Sequence, residues 1–593
     1  MALGTAAPSD LDPSPHGPAP AGRRDGRAFL RWSLGAYLGV TAMLAMAMLA
    51  AAGWPLTYVL DDPAIHLSIA EQLARHGTWG VTPGSFESAS SAPLWTLLLA
   101  PFAALGPPAR DWAPLLLNGA AGAAVLAVLA GPGAVLRPSR RRPLDAAVTV
   151  VLAVVVLFLP GLAVVGMEHT LHVALVLAAV ASLADGVAGR RRGPAWAPYA
   201  LLAMASLARF ETAFVALGLA VGLVVDAFAG PDPASGGDGP AAPGTGDPDG
   251  TVAADDAARH PGRDGRAGRM VALRRAAGVL AASGGAIAAF AALNVALGGG
   301  LLPNSVLAKG QGTGAAQGDG LGPVDIANRL SQDPLVVATF VLAVGYLAVT
   351  WGRRGARGRL AAWAAATATV AHAAVADVGW YERYQAYLIA LGAFVGLVTL
   401  GELPAGRRRR VLAAALVVAV PLALPKASLL VRAPLAAADM AGHQLQAARF
   451  LDRYYDGQPV ATTQLGYISL WHDGPLTDFG GLGDQEVLDL PGRGVDLWEE
   501  IAERRGVRVA VVYAPEAFRS VPPGWVRAGS FHLRHEPVTA VNEDLEVFAT
   551  SADELAPLQR HLAEFAAEVP DGVEVRLNEF AELQVAAIEA DPP

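Results

Sequence analysis

From Trp32 onward the chain alternates long apolar runs with short polar or arginine-rich breaks. The first run reaches Gly53 and is long enough to cross a bilayer, for which about 20 residues suffice. Further runs lie near 112–136, 144–166, 170–185, 195–208, 211–229, 270–297, 334–351, 360–378, 384–401 and 411–431. Together they predict eleven spanning helices, the shorter ones tilted or paired in tight hairpins. A twelfth run, Pro93 to Gly106, begins with Pro, ends with Gly and is too short to span. It predicts a re-entrant or interfacial helix.

The rest of the chain reads differently. Residues 1–31 predict a disordered, cytoplasmic N-terminus, Pro-, Gly- and Ala-rich as far as residue 25. Residues 230–268 are rich in Gly, Pro, Asp and Ala without hydrophobic period, which predicts a flexible cytoplasmic linker. Beyond residue 434 the long apolar runs stop. Residues 440–455 predict an amphipathic helix with Leu445, Ala448, Leu451 and Tyr455 on one face. Strands are expected near 458–463, 507–513 and 545–548, with a helix at 495–505. The expected fold class is therefore an α-helical polytopic membrane body, residues 32–434, followed by a soluble α/β domain, residues 435–593. A small doubly wound sheet would suit that domain.

Composition sharpens the division. The chain is 53% hydrophobic and 16% charged, against about 25% charged in soluble domains, which excludes an ordinary soluble enzyme. Leu435 to Pro593 holds 11 basic and 27 acidic residues, a net of −16, leaving +7 elsewhere to give the overall −9. That balance argues against a nucleic-acid partner. No cysteine is present, so disulfides, thiolate metal sites and cysteine nucleophiles are excluded. Arginine clusters at Arg137/Arg140–Arg142, Arg190–Arg192, Arg259–Arg275, Arg353–Arg359 and Arg407–Arg410 all fall on the cytoplasmic side if eleven segments span. The acidic C-terminal domain then lies outside the cytoplasmic membrane.

In that topology the polar residues of the remaining loops share the outer face. They are Asp61-Asp62 with Glu87, then Glu168-His169, Arg209-Phe210-Glu211, Asn304-Ser305 to Lys309, and Glu382-Arg383-Tyr384. Each alone could be a solvated loop end, and Asp62 could cap the helix opening at Pro63. As a set they suit an outward-facing cavity with acids and cations, since ionisable groups near a bilayer usually face a polar interior. A carboxylate there could act as general base on a hydroxyl or hold a divalent cation. Arg and Lys suit a lipid phosphate. Sugar transfer from a lipid phosphate carrier fits this set. A transporter or flippase for a polar or lipid-linked solute is the alternative, disfavoured by almost purely apolar spans and the lack of an internal repeat. A non-catalytic envelope scaffold leaves the acidic pair unexplained.

The order Asp61-Asp62-Pro63-Ala64-Ile65-His66, then Glu71, Arg75-His76-Gly77, Pro83-Gly84, Glu87 and Ser91-Ala92-Pro93-Leu94-Trp95 resembles the first outer loop of the GT-C superfamily of membrane glycosyltransferases, including actinobacterial arabinofuranosyltransferase-like proteins. Gly166-Met167-Glu168, Arg209-Phe210-Glu211, Pro303-Asn304-Ser305 to Lys309, Arg383-Tyr384 and the segment Gln464-Leu465-Gly466-Tyr467 to Asp478-Phe479-Gly480-Gly481-Leu482 are similar to later motifs. Pro63 and Phe210 depart from the usual pattern. The resemblance implies inverting transfer of a sugar, hexosyl or pentosyl, from a polyprenyl-phosphate donor to a cell-envelope glycan, lipid or protein. It implies one of Asp61 and Asp62 as base, Asp61 being favoured, with Asp62 then a metal or hydroxyl ligand. It implies Glu168 as sugar or metal ligand and Lys309 and Arg383 for phosphate. His66, Glu87, Arg209, Glu211, Asn304 and Tyr384 would complete the substrate site. The one cofactor implied is a divalent cation, Mg, Mn or Ca, held by Asp62 and Glu168. Asp473, Asp478 and His472 read as solvated loop residues.

Overall fold

The computed structural model describes residues 26–190, 193–228, 261–312, 323–351, 358–489, 495–513 and 521–590. Of the N-terminus expected to be disordered, residues 1–25 lie outside the described residues, as does most of the expected linker, while Arg27–Arg31 already belong to the first helix.

Helices dominate as far as residue 455. They are α1 (Arg27–Ala52), α2 (Asp62–His76), α3 (Pro93–Ala103), α4 (Pro107–Gly133), α5 (Pro143–Val151), α6 (Leu159–Val165), α7 (His169–Val187), α8 (Ala197–Ala208) and α9 (Thr212–Phe228). There follow α10 (Pro261–Ala296), α11 (Asn304–Gly312), α12 (Pro323–Gln332), α13 (Pro334–Val349), α14 (Arg359–Val375), α15 (Ala386–Glu402), α16 (Ala405–Gly442) and α17 (Gln444–Tyr455). Helix α10 begins at Pro261, inside the stretch expected to be linker.

Among the described residues, 6 helices are long and apolar enough to cross a membrane, or 7 if the bent pair α12–α13 is one span. Eleven spans are not met by length. Helices α8, α9 and α15 are apolar but have 12, 17 and 17 residues, because polar hairpins cut each short. The run 144–166 is one of the six, Pro143–Val165, although it passes from α5 through a π-helical stretch, Leu152–Val156, and Phe158 at φ 52 into α6. The Pro93 segment is an 11-residue helix, about 16 Å long at 1.5 Å per residue.

The apolar helices pack closely where small residues allow it. Gly218 and Gly222 of α9 face Trp363 and Ala364 of α14, and a Cβ at Gly218 would lie 2.7 Å from the Ala364 Cα. In helix α2, Pro63 to Gln72 are all buried. It lies between α3 on one side and the C-terminal unit on the other.

The C-terminal unit holds a 6-stranded mixed sheet in the order β2-β1-β3-β5-β4-β6. The strands are β1 (Val460–Thr462), β2 (Leu476–Asp478), β3 (Val509–Tyr513), β4 (Val526–Leu533), β5 (Asp544–Ala549) and β6 (Val573–Leu577). The trio β2-β1-β3 is parallel, while β5, β4 and β6 join antiparallel. The parallel half has the β2-β1-β3 order of a doubly wound sheet, and the antiparallel half departs from it. The helices are α18 (Leu465–Trp471), α19 (Gln485–Asp489), α20 (Val495–Arg505), α21 (Ala552–Phe565) and α22 (Ala581–Ala590). Leu445, Ala448, Leu451 and Tyr455 of α17 are buried in the sheet's core with Phe450 and Phe531.

Two polar anchors join this unit to the helices. Asp439 near the end of α16 accepts hydrogen bonds from Val538 N at 2.6 Å, Thr539 N at 2.7 Å and His535 Nε2 at 2.7 Å. At α18, Asp61 accepts from Gly466 N at 2.8 Å and Tyr467 N at 3.1 Å. Ser68 donates to the Ser469 carbonyl at 2.9 Å, and Tyr58 N to the Tyr467 hydroxyl at 3.1 Å. A Cβ at Gly466 would collide with the Asp61 carboxylate and carbonyl. Gly466→Ala is therefore expected to cost about 1–3 kcal/mol or more as overpacking, read as a lowered thermal midpoint of the detergent-solubilised protein. An unchanged midpoint would show that this contact is loose.

Candidate functional site

The acidic pair at the start of α2 divides into two roles. Asp61 is the residue before the helix and Asp62 its first residue, and neither side chain caps α2. The capping expected of Asp62 is therefore absent. Both Asp61 oxygens instead receive the N–H groups of the first turn of α18, where the helix dipole favours an anion. Burial pushes the Asp61 carboxyl up to about 7, against the pull of the two N–H donors, and the nearby charges of Asp62 and Asp478 add to the rise.

Asp62 is turned elsewhere and its side chain is part-exposed. Its Oδ2 accepts from Arg383 at 3.0 Å. Arg383 is 1% exposed. Its guanidinium lies 5.0 Å from the centroid of the Tyr384 ring, donates to the Tyr384 hydroxyl at 3.1 Å and touches the Met167 sulfur. Its Nε is buried without a hydrogen-bond partner.

A second guanidinium, that of Arg209, lies 5.5 Å from the same tyrosine ring. It donates to Glu168 Oε1 at 2.7 Å and contacts His169 Nε2 at 3.0 Å. Its Nε faces both Glu211 oxygens at 3.2 Å. Burial pushes Glu211 up, but the charge and hydrogen bonds of Arg209 outweigh it and hold the carboxyl at about 2. The second oxygen of Glu168 lies 3.7 Å from His66 Nε2. His66 Nδ1 contacts Ser90 Oγ at 3.2 Å and Thr96 Oγ1 at 3.3 Å. A continuous polar chain thus runs Asp62–Arg383–Tyr384–Arg209–Glu168–His66, with Glu211 on its flank. It draws on α2 and on the loops that open α7, α9 and α15. At the far end of α9, Arg359 pairs with Asp226 and donates to the Thr350 carbonyl at 2.7 Å.

Two residues expected here, Glu87 and Asn304, stand apart. Glu87 closes its own loop, accepting from Val81 N at 2.6 Å, Thr82 N at 3.2 Å and the Ser85 hydroxyl. Burial raises its pKa despite those donors. It also lines a cleft of about 470 Å³ between residues 82–87 and the edge at β2, with Phe86, Thr477, Asp484, Gln485 and Arg505. Asn304 is buried and its backbone N–H reaches the Ser88 carbonyl at 2.9 Å. Its side-chain amide and the Ser305 hydroxyl have no hydrogen-bond partner. The Lys309 side chain lies outside the described residues.

His472 and Asp478, expected to be solvated, are buried. Asp478 accepts from Gly480 N and Gly483 N, each at 2.8 Å, and burial raises it to about 6. Among the described residues no group of three or more His, Asp or Glu side chains could hold a metal ion. Asp62 and Glu168 are each committed to an arginine, so this donor set does not fit the expected divalent cation.

Sequence reasoning missed several partners. Arg110 joins Asp111 at 2.9 Å and Glu71 at 2.6 Å beneath α2. The adjacent pair Arg110-Asp111 just before an apolar run was the available signal. Tyr58, which steers α18 through Tyr467, had none.

A family model described as a domain of unknown function (DUF8728) matches residues 436–550, the end of α16 through most of the sheet. No curated protein matches the chain. Among solved structures, the Archaeoglobus fulgidus oligosaccharyltransferase tethered with an acceptor peptide is similar at TM-score 0.43 and 11% identity, over 93% of this chain and 77% of that one. ArnT from Cupriavidus metallidurans, bound to undecaprenyl phosphate and in the apo state, is similar at TM-score 0.43 and 14% identity, over 87% of this chain and 98% of that one. A likeness at this level assigns no activity.

Two outcomes follow from this geometry. Arg209→Gln leaves the buried Glu168 and the part-exposed Glu211 without their cation and is expected to cost up to about 3–5 kcal/mol, seen as a fall in thermal midpoint. Asp61 titrates higher folded than unfolded, so the folded state holds the extra proton and stability falls as pH rises from about 4 to about 7. Midpoints measured across that range should fall less steeply in Asp61→Asn than in the wild type. Parallel slopes would remove Asp61 from the pH response.

Proposed function

We propose that this chain is a multi-pass membrane glycosyltransferase of the GT-C kind, taking a sugar from a polyprenyl-phosphate donor. The observation that carries the reading is the Asp62–Arg383 pair, in which a part-exposed carboxylate meets a buried guanidinium whose Nε still lacks a partner. It sits among loops at one end of the apolar helices, where a lipid-anchored donor would arrive.

Asp62, rather than Asp61, is the base in this reading, because both Asp61 oxygens are taken up by α18. Asp62 would take the proton from the acceptor hydroxyl. That oxygen attacks the anomeric carbon as the bond to the lipid phosphate breaks, inverting the centre. The departing phosphate keeps the bonding pair, and its charge is met by Arg383, with Arg209 beyond the shared Tyr384 ring. Glu168 and His66 would orient the sugar. The cleft beside Glu87 and Phe86 is the acceptor's route, which gives the C-terminal unit a part in recognising an envelope glycan, lipid or protein. The arginine-rich ends of the helices would face the cytoplasm, placing the site and the C-terminal unit outside the cytoplasmic membrane.

The test uses purified protein with radiolabelled polyprenyl-phosphate sugars. Asp62→Asn should lower turnover by about 10²–10⁴-fold, the usual worth of a general base. Arg383→Gln should lower both turnover and donor affinity. Equal turnover in wild type and Asp62→Asn, with every donor that is turned over, would overturn the mechanism.

A further inference from the structure

Arg383 reaches Asp62 from a backbone that few side chains tolerate. Gly379, Trp380, Tyr381 and Glu382 all have positive φ, at 94°, 46°, 61° and 62°. Glycine accepts this readily, but three consecutive non-glycine residues do so only where surrounding structure holds them. The holding structure is a buried ionic cluster outside the polar chain described above. Lys426, one of two lysines in the whole sequence, lies within α16 between Pro421 and Pro434 and is 2% exposed. Its ammonium group pairs with Asp333 at 2.8 Å and with Glu382. Gln385 closes the ring, donating to Asp333 at 3.0 Å and Glu382 at 2.7 Å, while its carbonyl accepts from Gly379 N at 2.9 Å. Asp333 occupies the break between α12 and α13, where the pair bends by 104°, and its other oxygen caps Leu335 N at 2.9 Å. Tyr381 donates to the Leu429 carbonyl of α16 at 2.9 Å.

Both ends of the left-handed run are thus tied, Gly379 through Gln385 and Glu382 through Lys426 and Gln385. Arg383 is the next residue. We infer that Lys426, with Asp333, Glu382 and Gln385, is a positioning cluster that fixes the Trp380–Arg383 turn and thereby holds the Arg383 guanidinium against Asp62. It rests on the proposed function only where donor binding is concerned. A charged side chain in an apolar helix is costly, and here its position is explained by the turn that it secures rather than by contact with substrate. The bend at Asp333 belongs to the same device, since it delivers the carboxylate that holds Lys426 in place.

Arg383 is buried, so its accessibility reports the turn without reference to activity. The test is limited trypsin digestion of the purified full chain in lipid nanodiscs, with cleavage after Arg383 and after the equally buried Arg110 followed by mass spectrometry. In the wild type both sites should be protected. In Lys426→Met and in the milder Glu382→Gln, cleavage after Arg383 should rise at least tenfold while Arg110 stays protected. Lys426→Arg, which keeps the charge, should restore protection. Protection of Arg383 in both variants, or opening of Arg110 together with Arg383 in both, would overturn the inference. A second arm measures binding of polyprenyl phosphate. Lys426→Met should weaken it as Arg383→Gln does, and the double variant should be no weaker than Arg383→Gln alone. Additive losses would also overturn the inference. Wild-type protein that fails to bind polyprenyl phosphate would count against the proposed donor, leaving the digestion to decide the positioning role.

Discussion

A guanidinium buried among apolar helices must be met by carboxylate charge, and Arg209 is met by two, Glu168 and Glu211. That ion triad joins the opening of α7 to the hairpin between α8 and α9. The Tyr384 ring extends it to Arg383, and Arg383 extends it to Asp62. The loops of four separate apolar segments are thereby drawn to one place. Removing one partner would leave uncompensated charge largely withdrawn from water, which is why the loops have so little freedom. The same constraint bears on the short helices: α8 ends, and α9 and α15 begin, where these polar residues must meet.

The C-terminal unit obeys a related rule. A carboxylate withdrawn from water needs donors, and both docking points supply backbone N–H groups to an aspartate. Asp439 takes those of Val538 and Thr539, and Asp61 takes those of Gly466 and Tyr467. Adjacent acids in the sequence therefore do different work. Asp61 holds the sheet unit through α18, and Asp62 pairs with Arg383. Gly466 is required because the carboxylate comes so close to the backbone.

Much of the helical body was legible because apolar runs are long and their breaks are polar or arginine-rich. The faces of α17 were legible from the spacing of Leu445, Ala448, Leu451 and Tyr455. Most of the expected site came together for the same reason: loops between apolar segments have few places to put charge. What could not be read were pairings that depend on distance in space. The choice between Asp61 and Asp62 turns on α18, some four hundred residues away along the chain. Glu87, the right type in the right loop, spends its oxygens on its own backbone. Strand β4 was missed because Gly529 and Ser530 blur its alternation, whereas Val573–Leu577 alternates apolar and charged residues and was legible as a strand. Lys426 was visible as a rare residue, but its partners Asp333 and Glu382 lie on other elements.

The central claim is that Arg383, held at the mouth of the apolar body, receives the lipid phosphate. A cryo-electron microscopy structure of the full chain in nanodiscs containing polyprenyl phosphate tests it most directly. The expected result is phosphate density within hydrogen-bond reach of the Arg383 guanidinium, with Asp61 still on the α18 backbone and Asp62 facing the phosphate. Phosphate bound elsewhere, with the Asp62–Arg383 pair closed and unchanged, would contradict the account.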